Sequence, residues 1–208
     1  MSNIIRQQIR PLFIIFAALF VLTGVVYPLV VFIVGQVAFP YQTGGSLLKD
    51  RNGTLTGSEL IGQQFTEDKY FWSRPSYTTG YPYNPLASSG SNYGSTNKKL
   101  IGDITNRTNM IRQSNNVDSV PSDLVMGSAS GLDPDISLDS ALLQVPRVAK
   151  ARGMDDAALT QMVYDHENKP VMGVLGEDTV NVLVLNLALD QRVSTGNNDA
   201  GVYQARSR

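Results

Sequence analysis

The stretch LFIIFAALFVLTGVVYPLVVFIV, residues 12–34, contains no charged side chain. As an α-helix it would extend roughly 34 Å at about 1.5 Å per residue, and the hydrocarbon core of a bilayer is about 30 Å thick. The run is longer than the core of about 7–15 residues that is typical of a cleaved signal peptide. The stretch therefore predicts one N-terminal membrane helix that the mature protein retains.

Four residues interrupt this helix weakly: Thr23, Gly24, Tyr27 and Pro28. Thr23 can bond back to the helix backbone through its hydroxyl group. Pro28 removes one helical hydrogen bond, so we expect a kink there, and membrane helices tolerate such kinks where the backbone finds other partners.

The charges that flank the helix predict its orientation. Arg6 and Arg10 precede it with no acidic residue among them, whereas the first charge on the other side is Lys49. The positive-inside rule then places residues 1–11 in the cytoplasm and residues 36–190 outside, for a single-pass protein of the cell (inner) membrane.

Composition narrows the function classes. The 208 residues carry a net charge of −1, which gives no electrostatic reason to expect nucleic acid. There is no cysteine and one histidine, so disulfides are excluded and a zinc site is not expected.

The remaining chain alternates helix and strand signals, which predicts an α+β extracytoplasmic domain over residues 36–190. Asn52-Gly53 between short runs predicts a hairpin. A helix should start near Thr96 and end at residues 114–116, and residues 123–129 favour a short helix. After Asp190 the chain is polar, and we expect residues 191–208 to be a disordered tail.

Further elements are predicted in the second half. Ser137 is typical of an N-cap and Gly153 of a helix end, with a kink or break at Pro146 between them. Asp155 should cap the next helix. Residues 171–175 form a candidate strand, and the apolar run 180–190 is buried as either strand or helix.

The chain carries weak matches to catalytic chemistry. Ser46 and Lys49 have the Ser-x-x-Lys spacing of acyl-enzyme hydrolases without their partner motifs. Asp133 and Asp135 offer two carboxylates, but Gly-Leu-Asp-Pro before a capped helix is also an ordinary turn. These residues leave a membrane-anchored hydrolase as an alternative, beside an independent solute-binding module, and no complete catalytic site is visible.

Residues 70–97, YFWSRPSYTTGYPYNPLASSGSNYGSTN, form a long segment rich in Tyr, Pro, Ser, Gly and Asn. Disordered segments are usually poor in aromatic residues, so this composition predicts an ordered loop that contacts something.

Several strings together resemble one family, the KdpC family of Kdp-type potassium-transporting ATPases. They occur in the family's order and cover most of residues 20–190: GVVYPLVV, GSLL, GSELIGQQF, YFWSRPS, YNPLASSGSN, DLVMGSASGLDPDIS, QVPRVAKARG and VNVLVLNLALD. The ordered set is far more specific than any single string.

The resemblance implies a non-catalytic auxiliary subunit of a high-affinity, ATP-driven potassium uptake complex. Its partners would be a channel-like subunit that selects potassium, a P-type ATPase subunit and a small single-span subunit. The family is described as a chaperone that raises the ATP affinity of the ATPase subunit. An extracytoplasmic domain cannot touch a cytoplasmic nucleotide, so we expect an indirect effect and no firmly bound cofactor, with ATP acting through the complex.

Two sets of residues follow as candidates. Gln144 and Arg147, in QVPRVAKARG, are candidates for a nucleotide contact. The aromatic segment is the expected partner surface, with internal packing of a loop as the alternative. Its candidate contacts are Tyr70, Trp72, Arg74, Tyr81, Tyr83, Asn92 and Tyr93.

Overall fold

The computed structural model describes residues 2–50 and 52–194. These residues divide into two compact units, one ending at Leu47 and the other beginning at Leu48.

The N-terminal unit is almost entirely helical. Helix α1 (Ser2–Val21) continues through a π-helical turn (Leu22–Val26) into α2 (Tyr27–Ala38), and a short helix α3 (Pro40–Thr43) follows. In the described part of the chain, the helical segment Gln7–Ala38 is the one that is long and apolar enough to span a membrane. The predicted span of residues 12–34 lies within it.

The π-helical turn coincides with the predicted interruptions. The Thr23 hydroxyl group donates a hydrogen bond to the Leu19 carbonyl oxygen at 2.8 Å, as expected. The Tyr27 N–H bonds to the Leu22 carbonyl oxygen, one residue further back than in an α-helix. Because Pro28 has no N–H, the helix must rearrange its hydrogen bonds here, and a π-turn is a common way to do so.

A hairpin follows α3 in the chain. Strands β1 (Leu47–Lys49) and β2 (Leu55–Ser58) form a two-stranded sheet. The Asp50 carboxylate accepts hydrogen bonds from the backbone N–H groups of Asn52 at 2.9 Å and Thr54 at 2.8 Å. Gly53 has a φ of +79°, a value that favours glycine. The hairpin predicted from Asn52-Gly53 is confirmed.

A three-stranded antiparallel sheet has the order β3-β5-β4. It consists of β3 (Asp135–Ser137), β4 (Glu167–Asn168) and β5 (Thr179–Asn181). The apolar run 180–190 is both strand and helix, because β5 passes directly into helix α8 at Val182. The strand predicted at residues 171–175 is wrong: Val171 and Leu175 form one isolated bridge around a tight turn.

The helices begin and end largely at the predicted residues. The described elements are α4 (Lys98–Asn115), α5 (Ser122–Val125), α6 (Leu138–Arg152), α7 (Asp156–Asp165) and α8 (Val182–Ser194). The Ser137 and Asp155 side chains cap α6 and α7, and Gly153 ends α6 with a φ of 63°. Helix α6 runs continuously through Pro146, so the predicted break does not occur.

The core lies where α6, α7 and α8 meet the small sheet and the aromatic segment. Its largest fully buried apolar side chains are Phe71, Ile111, Leu124, Ile136, Leu159, Met162, Leu183, Leu185 and Leu189. Mixed helices and small sheets confirm the predicted α+β class. Helix α8 continues to Ser194, past the predicted start of the tail at residue 191, and residues 195–208 lie outside the described residues.

Candidate functional site: the aromatic segment and its supports

Two side-chain amides hold the start of the aromatic segment. Phe71 and Trp72 are 0% and 7% exposed but belong to no strand. The Asn186 amide accepts from the Phe71 N–H at 2.9 Å and donates to the Phe71 carbonyl oxygen at 3.0 Å. The Gln144 amide does the same for Trp72, at 2.8 and 3.2 Å. Because buried backbone groups must be paired, these amides replace the neighbouring strand that the segment lacks.

Arg147 contacts both Trp72 and the Gln144 amide that holds it. Its guanidinium lies 4.0 Å from the centroid of the Trp72 ring. It donates to the Asn115 side-chain oxygen at 3.0 Å, the Asp68 carbonyl oxygen at 2.6 Å and Gln144 Oε1 at 2.8 Å. Burial lowers the pKa of Arg147 to about 10, with Asp68 opposing the shift, so the group stays charged at neutral pH.

Gln144 and Arg147, the candidates for a nucleotide contact, are both buried. Gln144 and Arg147 are 1% and 8% exposed, and their polar atoms bind groups of the same chain. The arrangement supports a structural role for both residues. The nucleotide contact stays a prediction.

A second polar cluster fixes the chain just before Phe71. The Tyr70 hydroxyl group donates to Asp190 Oδ2 at 3.0 Å. Arg152 donates to Asp190 Oδ1 at 2.8 Å and to the Lys69 carbonyl oxygen at 2.6 Å. The ends of α6 and α8 are therefore joined to the aromatic segment by one carboxylate.

The distal part of the segment is a loop with a well-defined hydrogen-bond frame. Ser76 Oγ accepts from the Tyr83 N–H at 2.9 Å and donates to the Gly131 carbonyl oxygen at 2.7 Å. Thr78 Oγ1 donates to the Tyr81 carbonyl oxygen at 2.7 Å and lies 3.1 Å from the Asn84 N–H, which donates to it. A loop held in this way loses little conformational freedom when it binds a partner.

The candidate partner contacts separate into two groups. Trp72 and Tyr83 are each 7% exposed, so most of each side chain packs inside the domain. Burial raises the pKa of Tyr83 to about 12, and its hydroxyl group donates to the Arg74 carbonyl oxygen. Tyr81 is 55% exposed. Asn92 is also exposed, and Tyr70, Arg74 and Tyr93 are half-buried.

Leu86 is a surface residue that sequence reasoning missed. It lies in the same loop as Tyr81 and is 93% exposed, and the flanking Pro85 is exposed as well. The Leu86 N–H donates to Asn84 Oδ1 at 3.0 Å, which fixes its position. The sequence signal for this residue was an isolated leucine within a segment rich in Pro, Ser and Gly. We call residues 79–86 the loop tip.

A second exposed apolar feature is the tight turn at residues 171–175. Val171, Met172, Val174 and Leu175 are 66%, 91%, 81% and 67% exposed. The run of apolar letters suggested a strand, but Met172 and Gly173 have φ values of +57° and +73°, which belong to a turn.

The residues of the hydrolase alternative, Ser46, Lys49, Asp133 and Asp135, line neither of the two clefts described below. Ser46 is 2% exposed, and neither Ser46 nor Lys49 lines either of the two principal clefts. Asp133 pairs with Arg74 at 2.8 Å and accepts from the Asp135 N–H at 3.1 Å, as in an ordinary turn. Burial raises the pKa of Asp135, and the neighbouring Asp133 adds to the shift. Among residues 2–50 and 52–194, no group of three or more His, Cys, Asp or Glu could hold a metal ion.

The two clefts adjoin the aromatic segment. The smaller, about 410 Å³, lies between residues 57–64 and residues 81–83. The larger, about 480 Å³, lies between the aromatic segment and α4. Pro82 and Tyr83 line both clefts, so the loop tip forms the wall that separates them.

Comparison with known proteins gives one consistent result. The family model described as "KdpC: K+-transporting ATPase, c chain" matches residues 9–191. The potassium-transporting ATPase KdpC subunit of Rhodopseudomonas palustris (strain BisB18) is 50% identical over 195 residues, which covers 88% of this chain and 98% of the relative. The proteins of the same name from Geobacter metallireducens and Burkholderia mallei (strain SAVP1) are 45% and 47% identical, over 89% of this chain and 98% and 96% of theirs.

Proposed function

Because this chain belongs to the KdpC family of K+-transporting ATPases, we propose that it is a non-catalytic auxiliary subunit of an ATP-driven potassium uptake complex. The observation that carries the proposal is the family match over residues 9–191. The partners are a channel-like potassium-selecting subunit, a P-type ATPase subunit and a small single-span subunit. The second unit binds the channel-like subunit, and the complex requires this contact for assembly and activity.

The N-terminal helix anchors the subunit in the bilayer. Its side chains from Leu12 to Val34 are exposed, including Phe13 at 65% and Phe32 at 63%, as lipid-facing residues would be. Arg10 precedes the apolar stretch, which supports a cytoplasmic N-terminus and an extracytoplasmic second unit in the cell membrane. Alkaline phosphatase fused at the C-terminus should be active, and fluorescent protein fused there should be dark; the reverse pair would overturn this orientation.

The loop tip supplies the contact surface. Tyr81 and Leu86 present apolar area on a loop whose backbone is already fixed by Ser76 and Thr78. Exposed apolar groups on a rigid support are typical of binding hot spots, because little ordering cost accompanies their burial. Trp72 and Tyr83 act behind this surface as its internal support.

Any effect on ATP affinity is indirect. A domain outside the membrane changes a cytoplasmic site only by binding two states of the complex unequally. The inward positions of Gln144 and Arg147 support this form of the chaperone role over a direct nucleotide contact. Loss of the extracytoplasmic contact should therefore weaken ATP binding by the ATPase subunit even though no nucleotide touches this chain.

Copurification tests the proposal. A C-terminally tagged chain, purified in mild detergent from potassium-starved cells, should bring down a potassium-stimulated ATPase. The Leu86→Asp variant should lose most of this activity, whereas Met172→Asp, an equally exposed position on the other turn, should keep it. If the unsubstituted chain copurifies no ATPase, the subunit role fails. If Leu86→Asp and Met172→Asp behave alike, the loop tip is not the contact surface.

A further inference from the structure

The larger cleft contains a guanidinium group that forms no ion pair within residues 2–50 and 52–194. Apolar and aromatic side chains form its walls, among them Phe65, Tyr77 and Met110. Arg107, from α4, and Arg74, from the aromatic segment, line the same cleft. Its volume of about 480 Å³ lies within the range of about 300–1,000 Å³ in which proteins bind small ligands or side chains of a partner.

Main-chain oxygens fix Arg107 in one orientation. Its Nε donates to the Leu124 carbonyl oxygen at 3.0 Å, and its Nη2 donates to the Ser73 carbonyl oxygen at 3.2 Å. Among the described residues, no carboxylate lies within 4.0 Å of its guanidinium nitrogens. Burial lowers the pKa of Arg107, and the neighbouring Tyr83 and Tyr77 oppose the shift. A half-buried guanidinium that is held by neutral main-chain oxygens alone gains from pairing with an anion supplied from outside the chain.

Arg74 contributes a second unsatisfied donor. Its Nη1 pairs with Asp133 at 2.8 Å, but its Nε is buried and has no hydrogen-bond partner. Buried donors without partners are rare in folded proteins and each calls for an explanation. Two guanidinium groups with unused N–H groups therefore line one cleft.

The carboxylate of Asp103 limits which anions the cleft can hold. It also lines the cleft, one helical turn before Arg107, yet the two do not form an ion pair because the guanidinium is turned toward Leu124 and Ser73. A dianion such as phosphate would be repelled by this carboxylate, whereas a singly charged carboxylate bound at Arg107 would meet less repulsion. The aromatic and apolar walls favour an apolar group beside that charge.

We infer that this cleft binds a carboxylate with an apolar neighbour, carried by a segment of the channel-like subunit, and that Arg107 pairs with it. The inference rests on the proposed function and names the chemistry of its contact. Because Pro82 of the loop tip lines the cleft, the bound segment would continue the surface formed by Tyr81 and Leu86. A free carboxylate from solution has the same chemistry, and the experiment separates the two sources.

The first arm measures carboxylate binding by the chain alone. Trp72 is the single tryptophan of the chain and lines the cleft, so its fluorescence reports directly on occupancy. The full chain in mild detergent is titrated with phenylacetate and with the neutral, isosteric phenylacetamide. Phenylacetate should bind about tenfold or more tightly, because a charge-assisted hydrogen bond is lost with the amide. Equal binding of the two probes, or no saturable change with phenylacetate, would overturn the inference.

The second arm uses two substitutions on the same helix. Arg107→Gln should abolish the preference for phenylacetate and reduce copurification of the ATPase. Arg112→Gln should change neither, since Arg112 lies on the exposed side of α4 in a long ion pair of 3.8 Å with Asp118. The probe titration on the unsubstituted chain keeps the test valid if Arg107→Gln folds poorly.

The outcomes distinguish this inference from the proposed function. If the unsubstituted chain copurifies no ATPase, the proposed function itself fails, whatever the probes show. If it copurifies ATPase and Arg107→Gln does so equally well, the cleft does not hold a partner segment, and retained phenylacetate binding would then assign it to a free carboxylate. Loss of both readouts in Arg107→Gln, with Arg112→Gln unchanged, is the expected result.

Discussion

Substitution of Gln144 by alanine should destabilise the second unit strongly. The amide of Gln144 makes four hydrogen bonds, with the Trp72 N–H and carbonyl oxygen, the Ser140 carbonyl oxygen and Arg147. At 1% exposure, water does not reach these groups in the native structure. The substitution therefore leaves both main-chain groups of Trp72 and one N–H of Arg147 without a partner.

The magnitude follows from those three groups. Each buried polar group left unpaired costs about 1–3 kcal/mol. Water that enters the vacated space recovers part of this cost, so we expect a loss of about 3–5 kcal/mol in the free energy of unfolding. For a domain of this size, 1 kcal/mol shifts Tm by about 2–4 °C, which gives a drop of roughly 6–20 °C.

Urea unfolding in mild detergent, followed by Trp72 fluorescence, measures this loss at the affected residue. Gln161→Ala is the matched control, because Gln161 is exposed on α7 and makes one bond of 2.9 Å to Asp165. It should change the free energy of unfolding by less than about 0.5 kcal/mol. If Gln144→Ala were as stable as Gln161→Ala while lowering the ATP affinity of the assembled complex, the structural role would be wrong and a nucleotide contact would be favoured.

Three further predictions concern other positions. Arg152→Met should lower the free energy of unfolding by about 2 kcal/mol in urea titrations, because its side chain is 5% exposed and pairs with Asp190 at 2.8 Å. Gly131→Ala should lower the free energy of unfolding by about 2 kcal/mol, since the φ of Gly131 is +66° and a Cβ atom would lie 2.6 Å from a main-chain oxygen. Gly102→Ala, in open space on α4, should raise the free energy of unfolding by about 0.5–1 kcal/mol. A change of the same sign in both variants would refute the steric argument. Asp135→Asn should raise Tm at pH 7, because burial raises the folded-state pKa of Asp135 and so disfavours its charged form. The gain in Tm should vanish below about pH 4, where the aspartic acid and the asparagine that replaces it are both neutral. A gain that persists below that pH would refute the electrostatic explanation.

Local signals in the sequence predicted most of the elements. The hairpin at Asn52-Gly53 and the caps at Ser137 and Asp155 depend on a few neighbouring residues, and the structure confirms each. The apolar stretch of residues 12–34 lies in a helix that is long and apolar enough to span a membrane. Capping and tight turns are decided within about four residues, so a single sequence carries enough information to place them.

Tertiary packing decides features that a short sequence pattern does not, and the wrong strand prediction at residues 171–175 is one of them. The apolar run 171–175 resembles a strand, but no strand lies beside it among the described residues and it closes on itself as an exposed turn. The nucleotide contact of Gln144 and Arg147 stays a prediction. In the structure their side chains pair with a backbone segment that lies, at Trp72, 72 residues before Gln144. A short pattern cannot encode contacts at that separation.

Arg107 was missed although the sequence carried its signal. It lies three residues after Ile104 and four before Ile111, which places it on the face of α4 that carries buried Ile111. A charged residue on the apolar face of an amphipathic helix is rare without a partner. The sequence alone does not say whether the partner belongs to the same chain. In the structure the guanidinium donates to the Leu124 and Ser73 carbonyl oxygens, and it forms no ion pair within the described residues.

The division of the aromatic segment into inner and outer residues explains how an irregular loop can serve as a binding surface. Phe71 and Trp72 are held by side-chain amides, so the segment is fixed without occupying the edge of a sheet. The residues that follow then reach the surface at Tyr81 and Leu86 and form one wall of the cleft that contains Arg107.

A substitution that removes one of these side-chain amides should therefore weaken binding at the loop tip without changing a residue there. Asn186→Ala, which removes two bonds to Phe71, should reduce copurification of the ATPase at a temperature where the chain is still folded. If binding were unaffected under those conditions, the supports and the surface would be independent.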